Sequence, residues 1–469
     1  MKQYLFVLIL NCFWFTQVYS QKFDTDTLLY HGHLDKFINL VVLGDGYTAN
    51  EQEKFIKDAK NVVDYLFTVS PFKLYKGYFN AFAVKVISNE QGAIHPNTAS
   101  DCKSANVPVS NPDTYLQCSF DVNGIHRLIV PKNTPRVIQV LSANFPAYDQ
   151  VIIISNSPHY GGSGGSFATL TTNSRSAEVA VHEIGHSFAN LADEYWAGDN
   201  YARERPNMTQ ETNPALVKWR NWMNENGVSI YQHGSTGVPA NWYRPHQNCK
   251  MRFLNAPFCS VCSETIIERI HALTNPIVSY HPVGNKVIYD DSLLTFRLTQ
   301  LMKPEPNTLN IQWTLNEEAI EREFDELTVS RDDMKKGINY ITVTVADTAS
   351  LVRVDGHSKK HFSTVTWEVE KKDITSVELF SSENSIEFAL FPNPATDYLN
   401  IELSSQEPLE QVFMDIYTLD GRFIQSVEKA IQITDRYDRS VNITSLTSGN
   451  YIFRLRSKGL HQTLPFQKY

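Results

Sequence analysis

The sequence predicts a multidomain chain: an α/β layer built on a mixed sheet, then two β-rich modules, the first an Ig-like β-sandwich. Three observations predict it. At 469 residues the chain is too long for one hydrophobic core, since domains run to roughly 100–200 residues each. Up to about residue 290, apolar β-prone runs alternate with segments of helical period. From Leu293 the texture becomes short stretches of period two separated by turn residues.

Within the α/β part, residues 37–43 (FINLVVL) form a β-prone run ending at Gly44-Asp45-Gly46. Thr48 then opens a helix with Glu51 three residues on, the pattern of a capping box. Phe55, Ala59, Val62, Val63, Leu66 and Phe67 recur at helical spacing behind it. Residues 81–87 (AFAVKVI) and 150–156 (QVIIISN) read as further strands, with a short element near 125–131. The run Gly161–Ser166 precedes the stretch Phe167–Leu170, and a helix is expected over Ser176–Ala189. Residues 196–250 are rich in Trp, Asn, Pro and Gly and read as an ordered loop region, periodic only over 214–224. A helix follows near Glu264–Ala272, with Pro276 and Pro282 marking its exit. The runs LLTFRLTQ, LNIQWTL, ITVTVAD and HFSTVTWEVE, with a turn at Val354-Asp355-Gly356, give the first sandwich to about residue 385. A last β-rich unit opens at Phe391-Pro392-Asn393-Pro394.

Composition narrows the function classes. The formal charge is -9, and 42% of residues are hydrophobic against 20% charged. A nucleic-acid binder carries a basic footprint, and none is visible. Residues 1–20 combine Lys2, an apolar stretch and small residues at Val18 and Ser20, which reads as a secretory signal peptide. No later segment is apolar for long enough to predict a stable membrane span. Export suits cysteine cross-links. Cys102 and Cys118 are close enough in sequence to staple their loop, and Cys249 has Cys259 or Cys262 as partners. Five mature cysteines leave one thiol over. The pair Cys259–Cys262 reads as disulfide or buried thiol rather than a metal knuckle, because a second pair at matching spacing is missing.

The chemistry concentrates in residues 176–195, SAEVAVHEIGHSFANLADEY. His182-Glu183-Ile184-Gly185-His186 is an HExxH pattern. Residues i and i+4 share one helical face, so both imidazoles can bind one zinc, with Glu183 placed to take a proton from water. The plain alternative is a helix with two satisfied histidines. Val179, Val181, Ile184 and Phe188 bury this helix, which makes unpartnered histidines on it costly. Asn190 suits a left-handed C-cap that turns the chain back. Asp193 can then reach the metal, Glu194 is its rival one residue on, and either carboxylate can instead orient a histidine.

Together with VVLGDGYTANEQEKF and NWYRPHQNCKMRF, the run HEIGHSFANLADEY resembles the secreted bacterial peptidases of the M64 family, whose founding activity is cleavage of immunoglobulin A. The similarity covers most of residues 37–275. It implies a zinc endopeptidase with a metzincin-like catalytic domain, whose pattern is HExxHxxGxx(H/D) above a Met-containing turn. His182, Glu183 and His186 match directly. The glycine position is displaced by one onto Asn190, and the distal ligand would be Asp193. Met251 is the candidate Met-turn residue, and an ordinary core methionine is its alternative. Gly165–Leu170 resembles the edge strand that binds extended substrate, and Tyr243 or His246 is a candidate second oxyanion donor.

FPNPATDYLNIEL at 391–403, VFMDIYTLDGRFI at 412–424 and NITSLTSGNYIFRL at 442–455 resemble the C-terminal sorting domain of the type IX secretion system of Bacteroidetes. The resulting division is signal peptide 1–20, peptidase domain 21–290, Ig-like sandwich 291–385 and sorting domain 386–469. The implied partners are a protein substrate and the type IX machinery, and the expected location is secreted or cell surface. The competing class is a non-catalytic adhesion or glycan-binding protein with a degenerate peptidase domain.

Overall fold

The computed structural model describes residues 21–105, 107–289, 293–320, 325–371, 386–405, 407–419, 421–458 and 460–469. The expected signal peptide and the segments at both expected boundaries near 290 and 385 lie outside these residues. The chain divides into two compact units, Met1–Asp373 and Ile374–Tyr469.

The first unit begins with a six-stranded mixed sheet. Its strands are β1 (Thr25–Leu29), β2 (Ile38–Asp45), β3 (Phe79–Val84), β4 (Gln150–Ser155), β5 (Gly162–Ser163) and β6 (Ala168–Thr171), in the order β1-β3-β2-β4-β6-β5. β3, β2, β4 and β6 run parallel, while β1 and β5 close the two edges antiparallel. Strands buried on both faces need continuous apolar runs, and period two sorts their side chains. Leu40, Val42, Ile152 and Ile154 face one layer; Val41, Leu43, Val151 and Ile153 face the other.

Helices α1 (Gln52–Leu66), α3 (Ser176–Ala189) and α4 (Ser260–Leu273) pack on the first face, and α2 (Thr134–Asn144) on the second. The Glu51 carboxylate accepts from Thr48 N (3.1 Å) and Thr48 Oγ1 (2.9 Å), and a 3-10 turn over Ala49–Glu51 leads into α1. Phe55, Ala59, Val62, Val63 and Leu66 are the buried stripe of α1. Each such side chain stabilises by roughly 1.5–3 kcal/mol when fully buried, the small Ala59 excepted. The sequence reading lacks α2, which is capped by Asn133 accepting from Arg136 N (3.2 Å). It also takes 214–224 as periodic, where the structure has turns and a short 3-10 helix at Arg220–Trp222.

After α4 the first unit continues as two sheets. Ile277–His281, Leu293–Leu301 and Glu326–Ser330 form one; Lys286–Tyr289, Phe362–Lys371, Gly337–Asp347, Leu309–Leu315 and Glu318–Ile320 form the other. They share a core of Phe296, Trp313, Ile341, Val343, Val345 and Trp367. Asp347, at the end of its strand, is buried against the α/β layer. It accepts from His271 Nε2 (2.9 Å) on α4 and from the Tyr75 hydroxyl. Glu268 of α4 pairs with His357 and with His361 Nε2 (3.1 Å).

The second unit has a three-stranded sheet (Ile386–Phe391, Tyr398–Ser405, Arg436–Asn442) and a four-stranded sheet (Phe423–Ile433, Leu409–Thr418, Gly449–Ser457, Leu460–Lys468), both antiparallel. Leu399, Ile401, Leu403, Val412, Met414, Ile416, Phe453 and Leu455 form their common core.

Candidate metal centre

Helix α3 ends where Asn190 adopts the left-handed conformation (φ 56°, ψ 30°). Its N–H reaches His186 O (3.0 Å), and Leu191 N–H reaches Gly185 O (3.1 Å). This reversal brings residues 191–195 back beside the helix. Asp193 Oδ1 then lies 3.1 Å from His182 Nε2 and 3.3 Å from His186 Nε2, and the two Nε2 atoms are 3.2 Å apart. His182 Nδ1 is tied to Lys250 O (2.9 Å) and His186 Nδ1 to Leu191 O (2.7 Å). With Nδ1 donating to a carbonyl in each ring, both Nε2 lone pairs are left to face the carboxylate. Two nitrogens and an oxygen converging this way suit one divalent cation.

Without a cation, the same convergence favours a proton on each imidazole. Burial opposes charge on all three groups, but their mutual attraction outweighs it. His186 is pushed up to about 9, His182 is also raised, and Asp193 is held well below the usual carboxylate range by the facing histidines. Glu183 is buried and raised, burial outweighing the attraction of His182 and His186.

Glu194 takes a different direction. It is wholly buried, with Oε1 3.2 Å from Cys262 Sγ and 3.8 Å from Cys259 Sγ, and its N–H donates to Met251 O (2.7 Å). Burial raises its carboxyl well above the usual range. Consecutive carboxylates on an extended loop point to opposite sides, so Asp193 meets the histidines while Glu194 meets the sulfurs.

Met251 is buried beneath the helix, its Sδ facing Gly185. Gly164 lies against the His186 ring and Gly162 against Val179 and Glu183, where side chains would collide. The sheet edge beside the helix is β5, Gly162–Ser163, whereas β6 is paired on both sides. The expectation that Gly165–Leu170 is the edge strand is therefore corrected: the chain turns within 164–167 and its second arm enters the sheet interior.

The centre opens into a cleft of about 910 Å³ lined by five arginines: Arg127, Arg175, Arg203, Arg205 and Arg252. Tyr195 also lines it, stacked 6.5 Å from the His182 ring; burial and the Asp193 charge raise its hydroxyl against the pull of Arg127. Neither Tyr243 nor His246 is on this wall; His246 Nε2 is bound to Asn226 O (3.1 Å). Tyr195 and Arg127 escape sequence reasoning because no local pattern links positions so far apart.

Among the described residues, the five cysteines Cys102, Cys118, Cys249, Cys259 and Cys262 are free thiols. Cys102 faces His95, Asp121 and His126, while Cys118 N–H donates to Asp45 Oδ2 (2.8 Å) across the sheet. The expected Cys102–Cys118 staple is thus corrected, since the loop carries the two sulfurs to different surroundings. Cys249 Sγ stands 3.7 Å from Cys262 Sγ, also unbonded.

Residues 28–232 match the family model described as IgA Peptidase M64, and residues 389–465 that described as Secretion system C-terminal sorting domain. The first match stops short of Met251. No curated protein matches the chain. Among solved structures, latent PorU from Porphyromonas gingivalis is similar at 11% identity and TM-score 0.19, over 41% of this chain and 20% of that one. Fibronectin(III)-like modules of Clostridium thermocellum CbhA are similar at 10% identity and TM-score 0.16, over 40% of this chain and 90% of theirs. The chain is multidomain, a peptidase-family region followed by β-sheets, and its tail marks it for secretion or the cell surface. Among the described residues no helix is long and apolar enough to cross a membrane. Residues 28–232 are thus similar to the M64 peptidase family, and residues 389–465 to secretion-system C-terminal sorting domains.

Proposed function

We propose that the chain is an exported zinc endopeptidase acting on extracellular protein, with zinc held by His182, His186 and Asp193 and with Glu183 as general base. The observation that carries this reading is the convergence of His182 Nε2, His186 Nε2 and Asp193 Oδ1 within 3.3 Å of one another in an open cleft. The HExxH helix, the left-handed turn at Asn190 and Met251 beneath support a metzincin-like arrangement of a domain spanning 21–290. The β modules at 291–385 and 386–469 then serve as an Ig-like sandwich and a sorting domain engaging the type IX secretion machinery.

When bound, zinc supplies Lewis acidity, polarising a carbonyl and bringing the pKa of water toward neutral. The chain supplies the rest. Glu183 takes the proton of the attacking water on a carboxylate oxygen and passes it to the amine nitrogen as the C–N bond breaks. Tyr195, kept neutral by burial, can donate its hydroxyl hydrogen to the developing oxyanion. The arginine lining favours substrates with acidic side chains near the scissile bond.

A peptide library tests this reading. Metal-stripped chain is expected to regain cleavage in proportion to added zinc, with acidic-flanked peptides cut fastest and less preferentially at high salt. Cleavage that persists in His182→Ala would overturn it.

A further inference from the structure

A second cluster of metal-binding groups lies outside the cleft. His95 Nε2, Cys102 Sγ, Asp121 Oδ1 and His126 Nδ1 all lie within 4.8 Å of one another, and all four residues are buried. Cys102 Sγ is 3.7 Å from His95 Nε2, 3.5 Å from His126 Nδ1 and 3.1 Å from Asp121 Oδ1. Asp121 Oδ1 is 3.0 Å from His126 Nδ1 and 3.5 Å from His95 Nε2. Zinc bonds of about 2.0–2.3 Å at tetrahedral angles place neighbouring donors roughly 3.3–3.6 Å apart. The observed separations scatter about those edges.

The surroundings are those of built ligands. His95 Nδ1 is held by Pro108 O (2.8 Å), which aims Nε2 inward. Asp121 Oδ2 accepts from Thr98 N (2.8 Å), leaving Oδ1 for the cluster. Asp101 Oδ1 accepts from His126 N (2.9 Å) and fixes the backbone of the fourth donor. A thiolate, a carboxylate and two neutral imidazoles carry charge −2, which one divalent cation neutralises in a site that buries all of them. Cys102 has no sulfur partner here, unlike the Glu194 cluster, where Cys249 and Cys262 are close enough to form a disulfide with modest movement.

We propose that His95, Cys102, Asp121 and His126 bind a second zinc ion in a closed, four-ligand structural site. Four protein donors leave no position for water, so the site holds structure rather than performing hydrolysis. Its place in the fold says which structure. The ligands tie His95 and Cys102 to Asp121 and His126, which bracket the start of the cleft wall formed by Val122, Asn123, Ile125, Arg127 and Leu128. The metal would fix that wall, and through Arg127 the hydroxyl of Tyr195. In an exported protein it would also shield the Cys102 thiolate from oxidation.

The test counts zinc in the full chain with the cleft histidines removed, so its outcome does not depend on the catalytic reading. A His182→Ala/His186→Ala double variant should retain zinc, and adding Cys102→Ser should release one equivalent. Cobalt substitution of the double variant should give an intense tetrahedral visible spectrum whose thiolate band falls on adding Cys102→Ser. If the triple variant does not fold, the unmutated chain decides: iodoacetamide should label Cys102 only after chelation, and anomalous scattering at the zinc edge should peak among the four donors. An equal zinc count with and without Cys102, a Cys102–Cys118 disulfide, or no anomalous peak there would overturn the proposal.

Discussion

Met251 Sδ occupies the space that a side chain on Gly185 would need: a Cβ built at Gly185 would lie 2.6 Å from it. The close approach links the helix carrying both histidines to the loop whose Lys250 carbonyl holds the His182 ring. Gly185→Ala must push Met251 and that loop away. Overpacking of this kind destabilises by about 1–3 kcal/mol. Because the displaced loop orients His182, turnover is expected to fall on the order of 100-fold, read as kcat beside a thermal melt. Normal turnover in a destabilised Gly185→Ala chain would show that the loop does not position the histidine.

The two neighbouring carboxylates should separate cleanly. Asp193→Ala is expected to weaken zinc binding in the cleft by on the order of 100-fold or more. Glu194→Gln, which keeps the shape of a side chain turned toward the sulfurs, should change it by only a few-fold. Competition with a zinc-binding dye, run with Cys102→Ser in both backgrounds to isolate the cleft, reads the difference. Equal effects would mean that Glu194 shares in the metal.

Tyr195→Phe removes one hydroxyl from the cleft lining. If it donates to the oxyanion, kcat should drop by about 10²-fold, with KM and zinc content close to unchanged. A rise in KM alone would assign Tyr195 to substrate binding instead.

The junction within the first unit should set its acid stability. Burial works against ionised Asp347 and Glu268, but His271 and other hydrogen-bond donors around Asp347, and His357 beside Glu268, outweigh it and depress both carboxyls. A depressed carboxyl stabilises fully above its unfolded value of about 4 and loses that contribution as pH falls through the folded value. His357, raised chiefly by Glu268 against the burial effect, stabilises fully below about 6.5 and loses it as pH climbs through its folded value. The Glu268–His357 pair is one interaction seen from both partners, so it counts once. Melting temperature should therefore be highest between about pH 4 and 6.5. Asp347→Asn should cost about 3 kcal/mol in that window and flatten the acid limb; an unchanged acid limb would contradict this.

How much of this was legible depended on how local each signal is. The Thr48–Glu51 cap, the α3 stripe and the left-handed Asn190 are set by neighbours a few residues apart, and the pattern displays them. Helix α2 buries only Val137, Val140 and Leu141, too thin a period to stand out, although Asn133 and Pro135 mark its start. The strands Ile277–His281 and Glu326–Ser330 were hidden, the first by its flanking prolines and the second by its brevity. Within the site, the histidines and Asp193 share one helix and its turn, whereas Arg127 and Tyr195 meet only through the tertiary fold. His95, Cys102, Asp121 and His126 follow no recognised ligand spacing. Nearness in sequence suggested pairing Cys102 with Cys118, but direction, not distance along the chain, decided where each sulfur went.

The central claim is that Glu183 moves the proton while His182, His186 and Asp193 hold the metal. Measuring zinc content and turnover together on Glu183→Gln tests it most directly. The account predicts cleft zinc bound as tightly as in the unmutated chain and turnover reduced by about 10²–10⁴-fold. Near-normal cleavage by a zinc-loaded Glu183→Gln chain would contradict it.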